Sequence, residues 1–210
     1  MKAELKLWDN NAVESNEVLV FNALVSVGEE VEEVTQTRWE SFETDNGEEY
    51  RVFNSYEEAE SVAVEEILDT LKYESLSSMG LLDFAIREGL VDYEWFKDAL
   101  CETYESIAWD EDIEYIVDNW DEDTMDEDEE RQKYYDCMVA SIGDCAEDFY
   151  NEYCYQFGME HVENLINQYD LVDLDELAET VVRYDGAENT LATWDGNYFE
   201  ENGLYFFRIA

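Results

Sequence analysis

The chain has no proline, one histidine and only 11 lysine and arginine residues among 210. Without proline, neither rigid proline linkers nor proline helix breaks mark a domain boundary. The one histidine, His161, stands beside Glu160 with no catalytic company in the sequence, which fits a helix-surface residue. No GxGxxG, GxxxxGK[ST] or GxSxG pattern occurs, so the common nucleotide-binding and nucleophile-elbow signatures are missing. Carboxylates are so abundant that any pair could be imagined as an acid–base dyad, which strips such pairs of diagnostic value. The expectation is a protein that is not an enzyme and carries no cofactor.

Cys101, Cys137, Cys145 and Cys154 form no CxxC pair. Three of them fall on one proposed long helix at separations of eight and nine residues, too far apart along a rod to bridge, and are expected to be reduced core residues. No signal-peptide pattern and no apolar run of membrane-spanning length is found. The expected compartment is therefore cytoplasmic, that of the host cell for a phage-encoded chain, with no membrane partner. Basic patches interleaved with aromatics are also lacking, and a strongly negative chain repels phosphate, so direct nucleic-acid binding is not expected.

What the chain does have is acid. It holds 57 aspartate and glutamate residues, a formal net charge of −46, together with 46% hydrophobic and 15% aromatic content. Charge of that size alone favours disorder. Fifteen Tyr, ten Phe and six Trp oppose it, because each aromatic buries about 150 to 250 Å² when packed. An ordered protein follows, with a core built from a chain long enough for one domain or two small ones. Solubility needs a net charge of only about 2 to 8 in a small domain, so the excess implies a basic partner, bound cations or life in high salt. The four cysteines and the load of large aromatics do not strengthen the high-salt case.

Periodicity gives an α+β class, mostly helical, with an acidic helical middle and small antiparallel β elements at both termini. Val18 to Phe21 continuing through Leu24, Val25 and Val27, and Val31 to Phe42, read as strands. Asn46-Gly47 reads as a hairpin turn between Trp39–Thr44 and Tyr50–Phe53, since both residues tolerate positive φ. Ser55 with Glu58 forms a capping box ahead of a helix whose buried stripe is Ala59, Val62, Ala63, Ile67 and Leu71, and whose outer face carries Glu57, Glu60, Glu65 and Asp69. Further helices are predicted over Leu81 to Glu88, stopped by Gly89, then after Asp92, and over Ile107 to Trp120. Two more cover Met159 to Tyr169 and Leu174 to Val182, the latter capped by Asp173. Asp195-Gly196 and Asn202-Gly203 read as turns of a meander through Thr190–Trp194, Tyr198–Glu200 and Leu204–Ile209. The expected division is a β-rich part over 1–55, an acidic helical body over 56–183 and a C-terminal β-meander over 184–210, in one or two compact units.

The acid concentrates between Trp109 and Glu152. Asp110-Glu111-Asp112, Asp121-Glu122-Asp123 and Asp126-Glu127-Asp128-Glu129-Glu130 precede or open a long helix to Gly158. Tyr134, Met138, Ile142, Cys145, Phe149, Tyr153 and Phe157 give it one apolar stripe. Asp136, Asp144, Glu147, Asp148 and Glu152 occupy the remaining faces, and Gly143 predicts a bend. The run from Asp121 invites an EF-hand reading, but Met125 stands at the fifth position and the central glycine is missing, so no metal site is expected.

Carboxylates at helical spacing lie about 5 to 6 Å apart along one face. The long helix would run on the order of 48 Å at about 1.5 Å per residue, against about 34 to 36 Å for one duplex turn. In overall character the chain resembles the Ocr-like and ArdA-like anti-restriction proteins of phages and mobile elements: small, extremely acidic, poor in proline and rich in aromatics. That resemblance is one of composition and covers no alignable motif. The tail from Arg183-Tyr184-Asp185-Gly186 to Tyr205-Phe206-Phe207-Arg208 also looks like the endings of some uncharacterised phage proteins. Such mimics imply inhibition of a restriction-modification enzyme, a CRISPR effector or another host DNA-binding protein by occupation of its DNA groove. The partner expected is thus a basic host protein engaged in competition with DNA, with homodimerisation left open. The alternative is an acidic interaction protein or chaperone-like adapter for a basic partner.

Overall fold

A computed structural model describes residues 16–38, 40–110 and 127–210. The class is α+β. The chain divides into two compact units, one formed by residues up to Glu74 together with Leu174–Ala210, the other by Ser75–Asp173. These limits differ from the division at 55 and 183, because the C-terminal segment from Leu174 onward folds back onto the N-terminal part.

The first unit centres on one antiparallel sheet. Strands β1 (Val34–Gln36), β2 (Ser41–Thr44) and β3 (Glu49–Phe53) are joined by β5 (Leu204–Arg208) and β4 (Tyr198–Glu201) in the order β1-β2-β3-β5-β4. Tyr50 pairs with Arg208 and Phe53 with Tyr205, so the two terminal β elements form a single sheet. Alternation sends Phe42, Tyr50, Val52, Leu204 and Phe206 to one face, where Leu19, Val20, Ala23 and Leu24 of helix α1 (Asn16–Val27) cover them. This corrects the strand expected over Val18 to Val27. A short apolar run is ambiguous between the two periods. Here the pairs Leu19-Val20 and Ala23-Leu24 recur one turn apart, while Val18, Asn22 and Val25 are exposed.

On the other face lie α2 (Tyr56–Leu71), α8 (Leu174–Asp185) and α9 (Ala187–Leu191). Ser55 caps α2 as expected, its side chain accepting from Glu58 N at 3.1 Å, and the Glu58 carboxylate accepts in turn from Asn54 N at 3.0 Å, one residue before the cap. Ala59, Ala63 and Ile67 are buried, and Val62 and Leu71 are half-buried. Half-buried Arg51 ties the sheet to α2, donating to Glu66 and, at 2.7 Å, to Glu40.

The turns partly follow the reading. Asn202 and Gly203 both take positive φ, 55° and 79°, as a two-residue hairpin turn requires. At Asn46-Gly47 only Gly47 is positive, within a four-residue loop closed by Thr44 N donating to Glu48 O at 2.8 Å. The strand expected over Thr190–Trp194 is instead α9 and the turn after it, so the meander has two strands.

In the second unit α3 (Leu81–Arg87) stops at Gly89. Leu90 N donates to Ala85 O and Gly89 N to Ile86 O, which satisfies the final carbonyls. Helix α4 (Tyr93–Asp110) follows and incorporates residues 107–110, the start of the helix expected over Ile107 to Trp120; the remainder of that helix lies outside the described residues. Val91 bridges to Val172, anchoring the start of α4 to the segment that follows α7 (Met159–Tyr169). The single long helix is corrected to two, α5 (Glu127–Ile142) and α6 (Ala146–Phe157), separated at Gly143. The bend is a full break, since Gly143 takes φ +142°, outside any helical conformation. Both α5 and α6 pack on α4, and α6 also packs on α7.

Candidate interaction surface

Helix α4 is organised by what it buries. Phe96, Leu100 and Tyr104 are buried, and Phe96 meets Tyr150 and Tyr153 of α6 edge-on at 5.1 and 5.4 Å. Its opposite side carries Glu94, Asp98, Glu102 and Glu105, all exposed. Spacings of four, four and three residues place them about 6, 6 and 4.5 Å apart along the axis, one row on one face. Glu94 is met by Lys97 at 3.8 Å, while Asp98, Glu102 and Glu105 have no ion-pair partner among the described residues. This row is not among the site residues expected from sequence, although its repeat of four, four and three residues is a local signal.

The predicted residues fall into three groups. Glu111, Asp112, Asp121, Glu122, Asp123 and Asp126 lie outside the described residues. Asp110 is the last residue of α4, and Glu127 and Glu130 belong to the first turn of α5. Asp128 and Glu129 are exposed in that turn, Asp136 is exposed and accepts from Gln132 Nε2 at 2.9 Å, and Asp144 and Glu147 are exposed around the break. These present charge to solvent.

Asp148 and Glu152 serve the fold as well. Asp148 accepts from Cys145 Sγ at 3.1 Å at the start of α6, and its carboxylate occupies the space that a side chain at position 143 would need. Glu152 accepts from Gln156 Nε2 at 2.8 Å, and the same amide donates to the Tyr104 hydroxyl. The cysteines need a correction too. Cys137 and Cys145 are exposed, whereas Cys101 and Cys154 are half-buried. Cys101 meets the Tyr135 hydroxyl of α5 and Cys154 the Tyr150 hydroxyl one turn before it, so these two are partly covered without joining the core.

The field is negative at the helix ends as well. No basic residue occupies the last turn of α4, α5, α6 or α7, so no side chain within those turns offsets the negative pole of the helix dipole. Arg87, Lys97, Arg131 and Lys133 are the basic residues between 75 and 173. Tyrosine hydroxyls respond to burial and to this field. Burial raises the Tyr104 pKa, with Glu152 adding to it; Tyr135 is pushed up to about 12, first by its hydrogen bond with Cys101 and then by burial.

The break at Gly143 removes the straight rod proposed from sequence. Charge is instead distributed over α4, about 27 Å long, α5, about 24 Å, and α6, about 18 Å. His161 is exposed on α7, its ring parallel to Tyr153 at 6.3 Å. Among the described residues no group of three or more His, Cys, Asp or Glu converges as a metal site, and no helix is long and apolar enough to cross a membrane. Comparison with known proteins finds no matching family model, no matching curated sequence and no matching solved structure.

Proposed function

We propose that this protein is a DNA mimic that inhibits a host DNA-binding defence enzyme, of the restriction-modification or CRISPR type, by occupying its DNA-binding groove without catalysing a reaction. The observation that carries the reading is the exposed carboxylate row Glu94, Asp98, Glu102 and Glu105 on α4, a helix fixed by its aromatic core. Duplex DNA sets one phosphate per about 3.4 Å of each strand, and the row sets one carboxylate per about 4.5 to 6 Å. Exposed Asp128, Glu129, Asp136, Asp144 and Glu147 extend the charge over the two helices packed on α4. A basic groove that evolved to hold phosphate is attracted to such a surface, and binding there excludes DNA.

A target is isolated by pull-down from a bacterial lysate with elution by a salt step, and DNA displacement from it is then measured at several salt concentrations. Neutralising Asp126, Glu127, Asp128, Glu129 and Glu130 together, by Asp→Asn and Glu→Gln changes, weakens displacement strongly, and wild-type binding falls steeply with salt. Single substitutions do little, because each exposed ion pair contributes only about 0.2 to 1 kcal/mol. A target that holds DNA and this protein at once, or a fivefold variant that competes as well as wild type, defeats mimicry. The acidic adapter for a basic partner then takes its place.

A further inference from the structure

A different surface lies between α2 and α8 in the first unit. Two open depressions, of about 520 and 450 Å³, share Glu65 in their linings and so form one trough. The first brings the C-terminal end of α2 to Leu174 and Asp175, and the second brings its N-terminal end to Val182 and Arg183, which makes the two helices antiparallel. Val64, Leu68, Leu71, Leu174 and Val182 supply apolar lining. Leu174 is 40% exposed and so offers apolar surface at one end of the trough. Carboxylates stand on both walls: Glu57, Glu65 and Asp69 on α2, Asp175 and Glu179 on α8. The basic residues are confined to the two ends. Lys72 pairs with Asp69 at 2.5 Å, and the Arg183 guanidinium donates to the Thr180 hydroxyl at 3.2 Å.

We infer that this trough is a docking site for a basic amphipathic helix of a partner protein, one with an apolar ridge flanked by lysine or arginine on both sides. The length is set by α8, whose 12 residues span about 18 Å and so accommodate about three turns of a guest helix. Charge complementarity selects the partner: an apolar ridge meets Val64, Leu68 and Leu174 while its basic flanks meet the acidic walls. A second copy of this chain does not fit, because a two-fold contact through the trough would press like-charged walls together. Phosphate-bearing partners are repelled by the same walls.

The test uses the whole protein and a labelled 14-residue peptide with leucines at helical i, i+3, i+4 and i+7 spacing and lysines beside them. A scrambled peptide of identical composition serves as control. In 0.15 M NaCl the amphipathic peptide binds at least tenfold tighter by fluorescence anisotropy. Replacing Leu68 and Leu174 by asparagine removes that preference and leaves the salt dependence in place. Replacing Glu65, Asp69, Asp175 and Glu179 by their amides flattens the salt dependence. The fivefold variant at Asp126 to Glu130 binds the peptide as wild type does, which separates this site from the mimicry surface. Methyl NMR of the unmodified protein answers the same question without a variant: peptide addition shifts Leu68, Leu71 and Leu174. Equal binding of the scrambled peptide, unaltered binding by the leucine variant, loss of binding in the fivefold variant, or methyl shifts confined to other sites each overturns the inference. So does a dimer in light scattering that the leucine changes dissociate.

Discussion

At Gly143 the backbone takes φ +142°, and an added Cβ would collide with Asp148 Oδ2 and stand 2.7 Å from Asp148 Cγ. Two costs therefore fall on Gly143→Ala, backbone strain and displacement of the carboxylate that accepts from Cys145 Sγ. The expected loss of stability is about 1 to 3 kcal/mol, read from urea unfolding. Asp148→Ala removes the clashing carboxylate but also its bond with Cys145, so the cost of Gly143→Ala is read in that background, where it should be smaller than in wild type. A cost of zero there would show that the backbone conformation itself carries no strain. Tyr56 gives a second prediction at the same scale. Its hydroxyl donates to Glu188 Oε2 at 2.6 Å and accepts from Ala187 N at 3.1 Å. Burial and then Glu188 push its pKa up to about 12, against about 10 in an unfolded chain. Because the folded value is the higher one, the stability it contributes is fully present below pH 10 and is lost as pH rises through 12. Tyr135, also near 12, behaves alike. Stability measured from pH 9 to 12 should fall over that window, and Tyr56→Phe should make the fall shallower.

At the scale of the element, α4 shows function and stability in opposition. Glu94 and Asp98, Asp98 and Glu102, and Glu102 and Glu105 are like-charged neighbours one turn apart. Each such pair costs a helix about 0.2 to 0.5 kcal/mol. Neutralising Asp98, Glu102 and Glu105 to their amides, with Glu94 kept for its first-turn position and its Lys97 partner, should raise stability by about 1 kcal/mol in low salt, and it should weaken DNA displacement from the target. A variant that is more stable yet displaces DNA as well as wild type would remove α4 from the interaction surface. The antiparallel helices α2 and α8 place acidic residues on their outer faces in the same manner, and α2 further depends on its Ser55 cap.

Over the whole molecule, a net charge of −46 works against compactness. Raising sodium chloride from 0.01 to 1 M shortens the screening length from about 30 to about 3 Å, so the melting temperature should rise across that range. An unchanged melting temperature would mean that the carboxylates are far enough apart, or well enough hydrated, for self-repulsion to be negligible. A need for molar salt merely to fold would instead identify a protein adapted to high salt.

The α+β class, the capped start of α2, the stop at Gly89 and the Asn202-Gly203 hairpin were legible in the sequence, because each depends on residues within one or two turns of each other. The carboxylate row of α4 is equally local, a repeat of four, four and three residues, but it is sparser than the acidic runs that follow it and so stands out less in the sequence. Local information failed where a distant partner decides. Residues 18–27 became a helix because the sheet face lined by Phe42, Tyr50 and Phe206 takes a helical stripe across it. Positions 190–194 could not extend the meander, since β3 already occupies the free edge of β5 through Val52 and Phe206. The joining of the two chain ends in one sheet, and the trough between α2 and α8, required segments more than 100 residues apart to meet. Composition determined that the protein is ordered, strongly acidic and packed on aromatics; tertiary structure decided which carboxylates share a face, because only long-range packing fixes how each helix is turned.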